Sequence, residues 1–177
     1  LEQPGWWRNW GIDLTWFFIV FALIVKSLLW CRLAPATLAR FVGCRRDWQW
    51  WTSQLCVNGQ LIAALLMTAI GVSTSFLPSD RLIGAACFLV GYALHLAAAV
   101  VNPDFGPEIV TPREMCGHWL YRYLRHPGYI GLMLASFGQT LLLGHFLLIP
   151  FCAAYVGLLV YRGLQEEELL CQLTQGS

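Results

Sequence analysis

Charge is what this sequence has least of. Only 12% of its 177 residues are Asp, Glu, Lys or Arg, about half the share usual in a soluble domain. Eleven basic and ten acidic residues leave a formal net charge of +1, so no basic field is present to attract nucleic acid. The chain has no internal repeat and no low-complexity segment. Its seven cysteines, Cys31, Cys44, Cys56, Cys87, Cys116, Cys152 and Cys171, include no CxxC pair. Cys56, Cys87 and Cys152 fall in apolar stretches, where free thiols behave as small hydrophobes. Neither a disulfide framework nor a zinc site is expected, and no metal is assigned.

What is there is apolar: 58% of residues are hydrophobic and the mean hydropathy is +0.58. Crossing a hydrocarbon core takes about 20 apolar residues as a helix. IDLTWFFIVFALIVKSLLW (residues 12–30), residues 55–77 and residues 82–101 each meet that length. Residues 129–161 are too many for one crossing, and Gly144-His145 offers a break in their middle. The fold class expected is all-α: a polytopic membrane protein of about five transmembrane helices, the last two forming a helical hairpin. Residues 1–177 read as one domain. The first span is longer than a signal-peptide core and no small-residue cleavage pattern follows it, although the chain opens on Leu1.

Arginine placement sets the expected orientation. Arg32, Arg40, Arg45 and Arg46 follow span one; Arg113, Arg122 and Arg125 follow span three; Arg162 follows span five. The intervening loops offer only Arg81. Cations favour the cytoplasmic side, which puts the N-terminus outside, the C-terminus inside and the bilayer as constant partner. The arginines of the first loop read as topology signals, and they also suit anionic headgroups.

Few polar residues interrupt the spans. Asp13 lies near a helix end and Lys26 can snorkel to the interface. His95 is deeper, and reads either as a functional group or as a neutral ring bonded to a neighbouring helix. Trp6, Trp7 and Trp10, and Trp48, Trp50 and Trp51, suit interfacial belts. Gly131, Ala135 and Gly138 share one face of the fourth span, which suits close helix packing or a cofactor wall. Residues 102–118 contain Pro103, Pro107 and Pro112, so the loop reads as a connector or a lid.

Against that background YRYLRHPGYIG, residues 121–131, is dense in chemistry. Pro127 biases His126 away from helix and suits a helix beginning just after it. The N–H groups of that start, with Arg125 and His126, would attract an anion. A second cluster, YRGLQEEELL (residues 161–170), places Arg162 and Glu166 at i, i+4 and runs on through Glu167 and Glu168. Taken separately they read as an interfacial belt and a solvated helix face. A hairpin would bring them to one membrane mouth, where cation and anion side by side suit a zwitterion such as S-adenosylmethionine. Arginine, histidine and helix start would take its carboxylate, a glutamate its ammonium, and tyrosine faces its adenine or sulfonium.

Y-R-Y-x-R-H-P-x-Y-x-G followed by an R…EE helix resembles the isoprenylcysteine carboxyl methyltransferase family and its phospholipid methyltransferase relatives. The likeness runs over residues 117–177. It implies a membrane-embedded, S-adenosylmethionine-dependent enzyme that methylates an amphiphilic or lipid-like acceptor, most simply a carboxylate, at the cytoplasmic face. By this resemblance Tyr121, Tyr123, Arg125, His126, Pro127, Tyr129, Gly131 and Glu167 are the cofactor-binding residues, and Arg162 and Glu168 the catalytic ones. Two positions depart from the pattern. Trp119-Leu120-Tyr121 stands where the family has Gly-x-Tyr, and Gln175-Gly176 where it has Phe-Gly, so the family's tyrosine-containing tail is expected to be truncated. Membrane sterol reductases, which use NADPH, share the Arg-His-Pro-x-Tyr-x-Gly segment, and a non-enzymatic membrane subunit is a third reading.

Overall fold

The computed structural model describes residues 48–70, 78–102 and 119–175, with scattered positions between 20 and 33. Most of the first expected span, the arginines at 40, 45, 46 and 113, Asp13, Lys26, Trp6, Trp7, Trp10, Cys44, Cys116 and the loop from 103 to 118 lie outside the described residues. All regular elements among the described residues are helical. They are α1 (Trp48–Ala69), α2 (Pro78–Val101), α3 (Trp119–Tyr123), α4 (Pro127–Leu143), a 3-10 turn (Phe146–Leu148) and α5 (Ile149–Gln175).

Local chemistry accounts for the boundaries. α2 opens on Pro78, which suits a first helical position, and Asp80 in the first turn favours the positive end of the helix dipole. α4 opens on Pro127 after His126, whose φ of −127° and ψ of 64° lie outside the helical region. It closes at Gly144, the described glycine with positive φ (78°), whose N–H returns to the Thr140 carbonyl. Only glycine takes that left-handed cap without penalty. α1 starts seven residues before the expected span because Gln49, Ser53 and Gln60 repeat at helical spacing and face neighbouring helices.

The helices alternate in direction. Gln49 meets Gln165 while Gly59 lies under the Phe151 ring, so α1 and α5 are antiparallel. Cys56 packs with Leu132 and Met133, and Ala64 with Leu142 and Leu143, so α1 and α4 run parallel. α2 runs against α4 along a seam of glycines, Gly84 opposite Gly138 and Gly91 opposite Gly131. A Cβ at Gly91 would stand 2.4 Å from the Ala135 nitrogen, and one at Gly138 2.4 Å from the Phe88 nitrogen. Backbones that close gain many dispersion contacts, a main source of helix association where lipid removes the hydrophobic drive. The stripe of Gly131, Ala135 and Gly138 is thus occupied by a helix. His95 belongs to the same seam: its buried Nδ1 lies 3.1 Å from the Gly128 carbonyl.

A polar layer ties α1 to α4. Gln60, 0% exposed, donates to Ser136 Oγ at 3.1 Å, while Gln139 donates to the Val57 carbonyl at 3.4 Å. Each such bond contributes about 0.6 kcal/mol in a membrane interior. The outer faces are apolar: Leu55, Ile62 and Leu66 on α1, Leu82 and Leu89 on α2, Phe137 on α4, Val160 and Leu164 on α5 are all exposed. Water tolerates few continuous faces of this kind, whereas hydrocarbon is neutral to them. Ser79–Val101 and Phe146–Leu169 are long and apolar enough to cross a membrane, and Pro127–Leu143 is a shorter apolar helix. Among the described residues Cys31, Cys56, Cys87 and Cys152 are free thiols. One end of the bundle gathers the start of α1, the end of α2, the start of α4 and the last turns of α5, and there the polar chemistry collects.

Candidate active site

Two helical facts assemble the cluster. On α5, Tyr155, Leu159, Arg162 and Glu166 recur at i, i+4, i+7 and i+11, a single stripe turned inward. On α4, His126 and Tyr129 sit three apart at the helix start, so their rings overlap: the centroids are 5.7 Å apart and the planes tilt by 17°. The stripe and the ring pair meet at Glu166. Its Oε1 accepts the Tyr129 hydroxyl, and its Oε2 lies 3.3 Å from His126 Nδ1. Glu167 approaches the other ring nitrogen, Oε1 to Nε2 at 3.5 Å, and also meets Arg125 Nη1 at 3.3 Å.

Arg162 completes the group from below. It is 9% exposed and interacts with the hydroxyls of Tyr129 and Tyr155. A continuous polar chain therefore runs from Arg162 through Tyr129 and Glu166 to His126. Gly163 leaves room for it: a Cβ there would touch the His126 and Tyr129 rings at 3.8 Å, and a longer side chain would displace them. Below lies the apolar cluster of Cys56, Tyr155 and Leu159.

The electrostatics follow from the partners. The hydrogen bond to Glu166 holds the His126 imidazole above its ordinary value; partial burial opposes this, and the charges of Glu166 and Glu167 reinforce it. The two carboxylates thus favour the protonated imidazole over the neutral one.

Of the residues named from the sequence, His126, Tyr129, Arg162, Arg125 and Glu167 come together. Pro127 is buried at the first position of α4 and shapes the helix start. Four others stand apart. Tyr121 donates its hydroxyl to the Ala98 carbonyl at 3.3 Å, fastening α3 to the end of α2. Tyr123 is exposed. Gly131 faces α2 rather than α5. Glu168 is exposed, because two residues beyond Glu166 is about 200° around the helix. Glu166 holds the place beside Tyr129 instead, and its i+4 relation to buried Arg162 was the signal that pointed to it.

The model of the Isoprenylcysteine carboxyl methyltransferase (ICMT) family matches residues 85–172. No curated protein and no solved structure gives a match. The matched region starts inside α2, upstream of the likeness noted in the sequence, and so takes in the helix packed on α4 as well as both halves of the cluster. Residues 85–172 thus belong to the isoprenylcysteine carboxyl methyltransferase family, a family of methyltransferases, in a helical chain whose described residues include two helices long and apolar enough to cross a membrane.

Proposed function

We propose that this protein is an S-adenosylmethionine-dependent methyltransferase acting on an amphiphilic carboxylate at the cytoplasmic membrane face. The observation that carries the reading is the junction at Glu166, where the Arg-His-Pro-x-Tyr segment and the acidic segment of α5 meet on shared hydrogen bonds. The residues suit the cofactor's charges. Glu166 and Glu167 match an ammonium; buried Arg162 and the N–H groups at the start of α4 match a carboxylate. When bound, S-adenosylmethionine supplies an electrophilic methyl on sulfur.

The protein's part is then chiefly positional, and alignment of reacting groups supplies about 7–11 kcal/mol in favourable cases. Tyr129, bonded to Glu166 and beside Arg162, fixes the separation of the cationic and anionic sides. Arg162 anchors a carboxylate and moves no proton. A carboxylate acceptor is already ionised at neutral pH and needs no general base. Exposed Glu168 would contribute charge at the mouth.

In the membrane, α4 and α5 form a hairpin at the end of about five spans, with the N-terminus outside and the site facing the cytoplasm, as the arginine distribution favours. The acceptor keeps its tail in lipid, since withdrawing it costs about 0.8 kcal/mol per CH₂, and reaches the site sideways. Transfer of radiolabelled methyl to long- and short-chain versions of one carboxylate tests this. A long-chain product whose label is released by mild base, as from an ester, is expected. Base-stable label, or equal rates on both chain lengths, would overturn the acceptor assignment.

A further inference from the structure

α1 lies wholly upstream of the residues matched to the family, yet its first turns grip α5 at the functional end. Gln49 is 7% exposed and donates Nε2 to Gln165 Oε1 at 2.9 Å; Gln165 in turn donates Nε2 to the Tyr161 hydroxyl at 3.0 Å. The Trp48 indole tilts against the Tyr161 ring, centroids 6.2 Å apart. One turn further along, Ser53 hydrogen-bonds Tyr155, the residue beside Arg162. Gln165 immediately precedes Glu166, and Tyr161 immediately precedes Arg162. We infer that Gln49 is a positioning residue: through Gln165 it sets the rotation of α5 about its own axis, and thereby aims Glu166 and Arg162 at His126 and Tyr129.

The geometry makes rotation the sensitive coordinate. Successive α5 residues differ by about 100°, so a turn of some tens of degrees would part Glu166 from both Tyr129 and His126. From α4 the resistance to it comes through the cluster's own polar contacts, the small Gly163 surface and the packing of Leu132 and Met133. A second grip from α1, through a buried amide pair, adds to that resistance. An amide pair fits this role because Gln49 and Gln165 add no charge beside the carboxylates, whereas a Lys or Arg would compete for them.

The inference rests on the cofactor reading above, and its test separates the two. Detergent-solubilised protein is titrated with S-adenosylhomocysteine as wild type, Gln49→Met, Gln165→Met and the double variant. Methionine keeps length and helix propensity while removing the bond. Asn58→Ala serves as control, since the Asn58 amide bonds along α1 itself, to Gln54, on an exposed face. Each single variant is expected to lose about two- to tenfold in affinity, the double no more than the larger single, and Asn58→Ala nothing. The stoichiometry of each titration counts the folded fraction, so unfolding cannot imitate the result. Single variants that bind as wild type, or losses that add in the double variant, would overturn the positioning role. Wild-type protein that binds no S-adenosylhomocysteine would instead bring down the cofactor reading, and the positioning role with it.

Discussion

α4 has two working sides, and they are built on opposite principles. Toward α2 it presents the Gly128 carbonyl, Gly131, Ala135 and Gly138, and a Cβ added at Gly131 or Gly138 would stand within 2.7 Å of the α2 backbone. Toward α5 it presents His126 and Tyr129, and the contact is made by long polar side chains at 3.3–3.5 Å. Four residues of one motif, His126, Gly128, Tyr129 and Gly131, are thus divided between two roles. The glycine side makes α4 a fixed wall; the polar side can exchange partners, as a binding site must. A motif read as one functional string is a rigid packing code interleaved with a chemical one.

The sharpest way to break this division is Gly138→Val, which forces side-chain atoms into a space where a Cβ would already be 2.4 Å from the Phe88 nitrogen. Overpacking typically costs about 1–3 kcal/mol, and more where backbone cannot shift. Loss of monodisperse protein and a large fall in thermal midpoint are expected. Gly157→Ala, with nothing within 4 Å of the added carbon, should be neutral or slightly stabilising. Equal effects of the two would deny the seam.

On the polar side, Glu166→Gln should leave stability close to wild type but weaken S-adenosylhomocysteine binding about tenfold or more, the scale of charge-assisted hydrogen bonds. An unaltered dissociation constant would reduce the cluster to a surface ion pair.

His126 gives a smaller effect with a definite sign. Its folded value is raised by Glu166 and Glu167, so the stability it contributes is fully present below the unfolded value of about 6.5 and fades as pH climbs through the folded one. The gap in thermal midpoint between wild type and His126→Ala should therefore narrow as the pH rises above about 6.5. A gap independent of pH would mean that the ring carries no charge between its carboxylates.

Arg125→Ala should do least. Its side chain is 84% exposed, and its pairing with Glu167 at 3.3 Å is of the kind that contributes about 0–1 kcal/mol. A loss in cofactor affinity as large as that of Glu166→Gln would move the anionic subsite outward to the surface.

Much of this was legible in the residues, and the limits are instructive. Pro127 and the Gly144-His145 pair mark helix ends because φ restriction and left-handed capping are local properties. His126 was legible at the helix start that Pro127 marks, and Tyr129 through the resemblance of its motif. Which of three consecutive glutamates points inward was not local: it depends on the rotation of α5, set from α1 and α4. Gly84 and Gly91 went unremarked because a glycine in an apolar run has no partner until the facing helix is known. Gln49, Gln60 and Gln139 each hold two helices together, a role that takes its meaning from the facing helix.

The most direct measurement is a side-by-side titration of the purified wild-type protein in detergent with S-adenosylhomocysteine and with NADPH. Saturable, near-stoichiometric binding of S-adenosylhomocysteine and none of NADPH is the expected result, from two carboxylates at His126 and one buried guanidinium beside Tyr129. Binding of NADPH in its place, or of neither ligand, would contradict it.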